Sequence, residues 1–196
     1  MGRKSKFTKN QFLDAALELI GEKGPSAATI STIGEMIDAP IGSVYHRFSS
    51  RDILLAELWL RLVESFQRGF LALLKRGDGL SAALYTTSWI RENLNGGRIL
   101  LLYRREELVS GEWPKEVRKR VQDLSRELDE GIKDFTQRLF GDIKEENILK
   151  ITFALIDVPY GTVRRYLQMG EVPPETIDKF IEETYKAIIG VYDENL

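Results

Sequence analysis

The fold of this chain is decided by residues 29–48, which read TISTIGEMIDAPIGSVYHRF. Thr29 belongs to the residue types that cap helix N-termini, and the isoleucines after it recur at helical spacing. The sequence Asp-Ala-Pro at positions 38–40 interrupts this helix, because proline and the residue before it disfavour a continuing helix. Val44 and Phe48 then give a second helix its own apolar face. Two short helices joined by a tight break predict a helix-turn-helix.

The outward side of the second helix is rich in small and hydrogen-bonding residues. Ser43 and Tyr45 carry hydroxyl groups and His46 carries an imidazole, all of which can donate hydrogen bonds to phosphates. Gly42 precedes them and lets a backbone approach closely. This set predicts contacts to DNA, with an ordinary solvated helix face as the alternative for Tyr45 and His46. A catalytic or metal-binding role for His46 is disfavoured, because no nucleophile or acid partner lies near it in sequence.

Residues 8–54 resemble the DNA-binding domain of the TetR family of ligand-responsive transcriptional repressors. The family pattern has a long first helix, a glycine at its end, a threonine that opens the second helix and a Gly-Thr-Leu-Tyr-x-x-Phe-like recognition segment. The matching positions of this chain are Phe12, Ala15, Gly24, Thr29, Ile33, Gly42, Ser43, Val44, Tyr45 and Phe48. The resemblance implies an all-α fold of about nine helices. It places a three-helix helix-turn-helix domain at residues 1–50 and a helical effector-binding and dimerisation domain at residues 51–196.

The resemblance also implies roles for residues around the motif. Thr29 and Arg51 stand where the family has residues that contact the DNA backbone. Ala39 and Ile41 are apolar where other members place polar base readers. These two side chains therefore suit contact with a thymine methyl group better than hydrogen bonding to a base edge.

The formal net charge of the chain is -2, an unusual sign for a protein that binds DNA. The charges are unevenly distributed, since residues 1–51 carry seven cations and five acids. Arg3, Lys4 and Lys6 lie at the start of the chain, close to the helix-turn-helix in sequence. We expect them to form a basic arm along a DNA groove or backbone, with a solubilising tail as the alternative.

Composition argues against several other classes of protein. The 196 residues are 43% hydrophobic and 30% charged, which is typical of a compact globular protein. Because the chain has no cysteine and one histidine, we expect no disulfide, no metal site and no cofactor. The sequence has no apolar run of roughly 18 to 20 residues and no apolar segment after its basic start, which predicts a cytoplasmic protein without a membrane partner. No catalytic set of side chains occurs at motif spacing, so we expect no enzymatic activity.

The rest of the chain reads as amphipathic helices without strand-like alternation. A helix over residues 8–23 braces the motif. Ser50 caps a long helix that runs to about residue 76, and its length of about 36 Å would join the DNA-binding head to a separate body. Further helices are predicted over residues 80–95, 98–109, 114–140, 144–169 and 173–192.

Large aromatic side chains lie on the helices that surround the effector cavity in the TetR family. They indicate an apolar or amphipathic small-molecule effector, with ordinary core packing as the alternative for each of them. Asp157 lies in an apolar stretch before Pro159, where a buried and unpaired carboxylate would be costly. We expect it to pair with Arg98, Arg104 or Arg164, or to bind a cationic group of the effector. The aromatic set is Trp59, Phe66, Phe70, Tyr85, Trp89 and Tyr103.

The last two predicted helices are apolar on more than one side, so each must be buried against more than one neighbour. In the TetR family the corresponding pair packs against its symmetry mate as a four-helix bundle, which implies a homodimer. The residues that we assign to the dimer interface are Ile151, Leu155, Val158, Ile181, Tyr185 and Ile188.

These features predict a ligand-responsive, DNA-binding transcriptional regulator. The hypothesis is a repressor that its small-molecule effector releases from a palindromic, double-stranded operator. Two alternatives are an adaptor that keeps the fold but binds protein, and an all-helical enzyme. The basic arm and the hydrogen-bonding helix face argue against the adaptor, and the lack of a catalytic set argues against the enzyme.

Overall fold

The computed structural model describes residues 7–100 and 113–193 of the chain. Within these ranges every regular element is a helix, which confirms the predicted all-α class. Several predictions fall outside the described residues, including most of the helix predicted over residues 98–109. The individual residues concerned are Arg3, Lys4, Lys6, Tyr103 and Arg104.

The chain divides into two compact units, each built from two stretches of sequence. The first unit consists of Met1–Val63 and Asn95–Val121, and the second of Glu64–Leu94 and Gln122–Leu196. The chain passes from one unit to the other inside helices. The unit that contains the helix-turn-helix is therefore larger than residues 1–50, and the functional division of the chain at that point stays a prediction.

The first unit begins with α1 (Lys9–Lys23), a 3₁₀ turn (Pro25–Ala27), α2 (Ile30–Met36) and α3 (Ile41–Tyr45). Local hydrogen bonds set these boundaries. The Thr8 hydroxyl accepts a bond from the Gln11 backbone N–H at 3.3 Å, and the Thr8 N–H donates to Oε1 of Gln11 at 2.8 Å. Thr29 caps α2 reciprocally with Thr32. Gly24 follows α1 at a φ of 81°, a backbone conformation that favours glycine.

The longer helices follow. α4 (Arg51–Lys75) and α7 (Lys115–Phe140) run through both units, α5 (Gly79–Glu92) belongs to the second, and α6 (Leu94–Leu100) lies in the first apart from its first residue. α4 has 25 residues and is therefore about 37 Å long, in agreement with the predicted long helix. Its apolar residues Leu54, Leu58 and Leu62 are buried at the helical spacing that predicted them.

The second unit ends with α8 (Glu145–Thr152), a π-helical turn (Phe153–Asp157), α9 (Val158–Met169), α10 (Thr176–Ile188) and α11 (Gly190–Asp193). The side chains that form its core come from α4, α5, α7 and the C-terminal helices. They include Phe70, Leu74, Ala83, Phe135, Ile151, Leu155, Ile181 and Tyr185.

The helix predicted over residues 144–169 is continuous but contains the π-helical turn near its middle. Pro159 accounts for the turn. Proline has no N–H to donate to the carbonyl of Leu155, and its ring crowds the preceding turn, so the backbone widens there. The turn ends at Asp157 and shifts the positions of the residues that follow around the helix axis.

Arg91 of α5 fixes the start of α10. Its guanidinium donates to both carboxylate oxygens of Asp178 at 2.7 Å and to the carbonyls of Pro173 and Pro174 at 2.9 and 3.1 Å. Burial alone would raise the pKa of the Asp178 carboxyl. The hydrogen bonds from Arg91 and Thr87 outweigh burial and hold that pKa below its usual value.

Candidate nucleic-acid interface

The turn between α2 and α3 is tight because two residues allow it. Asp38 adopts a φ of 52°, a left-handed conformation that aspartate tolerates better than most residues. Gly34 donates space: a Cβ there would lie 3.0 Å from the Ala39 carbonyl oxygen and 3.6 Å from Cγ2 of Val44. The Ala39 N–H donates to the Gly34 carbonyl at 2.9 Å and closes the turn. The predicted helix-turn-helix is thus formed by α2, this turn and α3.

Helix α3 packs through one side and exposes the other. Val44 is fully buried, and the buried ring of Phe48 meets Phe12 of α1 edge-on at 6.3 Å between centroids. The exposed side holds five of the predicted DNA-binding residues, which we call the α3 face. Ile41 is 48% exposed, Tyr45 is 55% exposed, and a Cβ added at Gly42 would meet nothing within 4 Å. The α3 face consists of Ile41, Gly42, Ser43, Tyr45 and His46.

Most cations near the α3 face already have partners within the protein. Arg51 donates from Nε to the Ala28 carbonyl at 2.7 Å and from Nη2 to the Pro25 carbonyl at 2.6 Å. Arg47 donates to the carbonyl of Phe7. These hydrogen bonds hold the guanidinium groups against backbone, so the α3 face presents mainly hydroxyl and imidazole donors.

Two predicted contact residues are placed differently from the α3 face. Ala39 is 8% exposed, because the tight turn folds its side chain inward, and this corrects the expectation that it meets a thymine methyl group. Thr29 is exposed at the N-terminus of α2, where its hydroxyl accepts the Thr32 N–H at 3.2 Å. The backbone N–H groups of the first turn of a helix are also suited to bind phosphate.

Sequence reasoning missed the residues that tie α4 to its neighbours inside the first unit. Glu57 of α4 accepts Lys9 of α1 at 2.7 Å and Arg120 of α7 at 2.5 Å. Arg61 of α4 pairs with Asp14 of α1 at 2.7 Å. No sequence signal identifies these pairs, because the partners lie more than 40 residues apart.

Four of the predicted effector residues come together in the second unit. The ring of Phe66 stacks on Phe70 at 6.0 Å and lies 5.4 Å from Tyr85 and 5.5 Å from Trp89 between centroids. Burial raises the pKa of the Tyr85 hydroxyl, and the negative charge of Glu92 adds to the rise. We call these four aromatic residues the aromatic cluster.

The remaining predicted effector residues are placed apart from the aromatic cluster. Trp59 belongs to the first unit, where it is buried and its indole N–H has no hydrogen-bond partner among the described residues. Asp157 is exposed and forms no ion pair with Arg98 or Arg164 in the described part of the chain, which corrects the expectation of a buried carboxylate. An exposed carboxylate keeps its hydration and needs no partner.

The predicted dimer residues are mostly core residues of one chain. Ile151, Leu155, Ile181 and Tyr185 are at most 1% exposed, so a second chain could not touch them, and their assignment is corrected. Val158 and Ile188 are half-buried against the same core. Four large apolar residues of the same helices lie on the outside instead, and we call them the C-terminal apolar surface. They are Leu149, Phe153, Tyr160 and Phe180.

Among the described residues, no helix is both long enough and apolar enough to cross a membrane. Residues 12–58 match the family model of bacterial regulatory proteins, tetR family. A comparison with curated proteins finds no match.

Solved structures share the fold across nearly the whole chain. The transcriptional regulator FadR from Bacillus subtilis in complex with stearoyl-CoA is 15% identical, with 93% of this chain and 98% of that chain covered and a TM-score of 0.67. A transcriptional regulator from Rhodococcus sp. RHA1 is 16% identical, with 95% and 98% covered and a TM-score of 0.68. The multidrug binding protein EbrR complexed with malachite green is 16% identical, with 92% and 97% covered and a TM-score of 0.60.

An exposed recognition helix on a helix-turn-helix, in an otherwise all-helical chain, defines the fold of a one-component DNA-binding regulator. The match over residues 12–58 and the shared fold agree on which one. The chain belongs to the TetR family.

Proposed function

We propose that this chain is a ligand-responsive transcriptional regulator that binds double-stranded DNA through the α3 face. The observation that carries the proposal is the α3 face itself. Its helix is anchored by Val44 and Phe48, while Tyr45 and His46 remain accessible. In helix-turn-helix proteins the second helix enters the major groove, and its N-terminal residues contact base edges.

The α3 face divides into two kinds of contact. Tyr45, His46 and the N-cap Thr29 are suited to phosphates, which position the protein without reading sequence. Ile41 and Ser43 lie in the first turns of α3, where they can read base edges or a thymine methyl group. The arm residues Arg3, Lys4 and Lys6 would supply further cations to the DNA backbone.

The assembly that binds DNA is a homodimer in this proposal. The C-terminal apolar surface supports it, because Leu149 is 60% exposed and Phe180 is 62% exposed. Large apolar patches of this kind mark protein interfaces. A two-fold dimer presents two recognition helices to successive major grooves and thus reads a palindromic operator.

The regulator acts as a repressor that an apolar or amphipathic effector releases from DNA. The aromatic cluster supports this choice of effector, because large aromatic rings line most small-molecule sites. Structures of the same fold that hold stearoyl-CoA and malachite green support it as well. The buried N–H of Trp59 adds a chemical requirement, since an effector with an oxygen acceptor there would supply its missing partner.

The test begins with selection of duplexes from a random pool by the full-length protein. A repressor should enrich a palindromic sequence and bind it more tightly than a scrambled duplex in fluorescence anisotropy. Stearoyl-CoA and malachite green then serve as effector probes. A saturating effector should lower DNA affinity by about 5- to 150-fold, and DNA should weaken effector binding by the same factor.

The matched control is Phe66→Leu, which trims the ring that contacts the other three members of the aromatic cluster. This variant should bind the selected duplex like the wild type but should release it less readily with the probe. Failure to enrich any sequence, together with DNA binding that does not respond to salt, would instead favour the protein-binding adaptor.

A further inference from the structure

The exposed side of α9 carries two opposite charges that the chain leaves without partners. Asp157 and Arg164 are both exposed, and neither makes an ion pair or a side-chain hydrogen bond within the described residues. They lie two helical turns apart, about 10 Å along the axis, so they cannot pair with each other in one chain. The exposed lysines of α10 differ, since Lys179 and Lys186 pair with acids four residues away in their own helix.

The residues between these charges form a site for close approach. Tyr160 is a large exposed side chain, whereas a Cβ added at the neighbouring Gly161 would meet nothing within 4 Å. The midpoint between Asp157 and Arg164 falls between these two residues. A bulky residue thus stands beside an open one at the centre of a symmetric arrangement of charges.

This arrangement is complementary to itself when the helix is turned by a two-fold rotation. If the axis passes between positions 160 and 161, each residue faces the partner's residue at the same distance beyond the axis. Position 157 then faces 164, and 160 faces 161. Negative charge meets positive charge twice, and each tyrosine ring meets a glycine.

We infer that a second copy of this chain docks on α9 in antiparallel register, so that Asp157 pairs with Arg164 of the partner subunit and Tyr160 packs on Gly161 of the partner subunit. The inference rests on the proposed homodimer and fixes its register. A second copy is the occupant because the charge pattern and the shape are both self-complementary, which a foreign partner does not require.

Charge reversal tests the register. In Asp157→Arg both charges on each α9 become positive, and in Arg164→Asp both become negative. Each variant alone should dissociate into monomers of 22.4 kDa, with a dimer dissociation constant raised by about 100-fold. An equimolar mixture of the two variants should form a heterodimer, because every facing pair is again opposite in charge. Sedimentation velocity measures all three samples.

Asp129→Arg is the matched control, since it reverses an exposed carboxylate on α7 and should leave the dimer intact. Circular dichroism verifies that each variant is folded, and the milder Asp157→Asn and Arg164→Gln serve if a reversal variant is not. A wild-type monomer would overturn the homodimer and the register together. A wild-type dimer that either reversal leaves intact, or reversed variants that fail to associate when mixed, would overturn the register alone.

Discussion

Arg51 donates a hydrogen bond from Nε to the backbone carbonyl of Ala28 at 2.7 Å, so the first residue of α4 holds the turn that precedes α2. A second N–H of the same guanidinium reaches the Pro25 carbonyl at 2.6 Å. Guanidinium has five N–H donors, and at least two are committed to the backbone here. The geometry therefore gives Arg51 a structural task beside any phosphate contact.

Replacing Arg51 by alanine should destabilise the helix-turn-helix by about 2 kcal/mol, because two carbonyls lose a charged donor. DNA affinity should fall for operator and random duplex alike, as a consequence of the loosened turn. Thermal unfolding and anisotropy measure the two effects. Tyr45→Ala is the control, since its exposed side chain can be removed without loss of stability; an unchanged melting temperature in Arg51→Ala would refute the structural role.

DNA binding should depend on pH through His46, which is the single histidine of the chain. Histidine changes charge between pH 5 and 8, and the protonated imidazole adds one cation to a face whose arginines already have partners. Affinity for random duplex should therefore decrease as the pH rises from 6 to 8. His46→Gln should show a flat profile over the same range, and an equally steep profile in that variant would exclude His46 as the cause.

Stability of the second unit should depend on the ion pair between Arg91 and Asp178. The pKa of the Asp178 carboxyl is held below its usual value, so its contribution is fully present above the unfolded pKa and is lost as the pH falls through the folded one. Asp178→Asn should lower the free energy of unfolding by about 2 kcal/mol at pH 7. Denaturant titrations at several pH values should show this difference shrinking below about pH 4; a constant difference would contradict the assignment.

Adjacent residues of α10 should respond to the same substitution in opposite ways. Phe180 is 62% exposed and Ile181 is 1% exposed. Phe180→Asp should yield a folded monomer, because an unpaired charge enters only the proposed interface. Ile181→Asp should lose more than about 4 kcal/mol of stability, because the charge enters the core. Light scattering and thermal unfolding distinguish the two, and a dimeric Phe180→Asp would remove that side of α10 from the interface.

The helix-turn-helix could be predicted from sequence because its signals are local. Thr29 caps α2, and Val44 and Phe48 anchor α3, all within 20 residues of one another. Asp38 and Gly34 make the turn possible through backbone conformation and space. The exposed side of α3 then follows from the helical period alone.

The C-terminal surface could not be predicted in the same way. Residues 144–192 are apolar on several sides, and periodicity does not reveal which side faces the chain's own core. Ile151 and Ile181 fill that core, while Phe153 and Phe180 remain outside. The π-helical turn complicates the pattern, because it changes which residues share a side of the helix.

The central claim is that the α3 face binds DNA, and the salt dependence of binding by Tyr45→Ala tests it most directly. Anisotropy titrations with the selected operator and with random duplex, each at several salt concentrations, compare this variant with the wild type and with Ser43→Ala. If Tyr45 contacts a phosphate, both duplexes should lose affinity by a similar factor, and the slope of log affinity against log salt should decrease by roughly 0.9. Ser43→Ala should instead alter the preference between duplexes. Unchanged affinities and slopes in both variants would contradict the assignment of the α3 face to DNA.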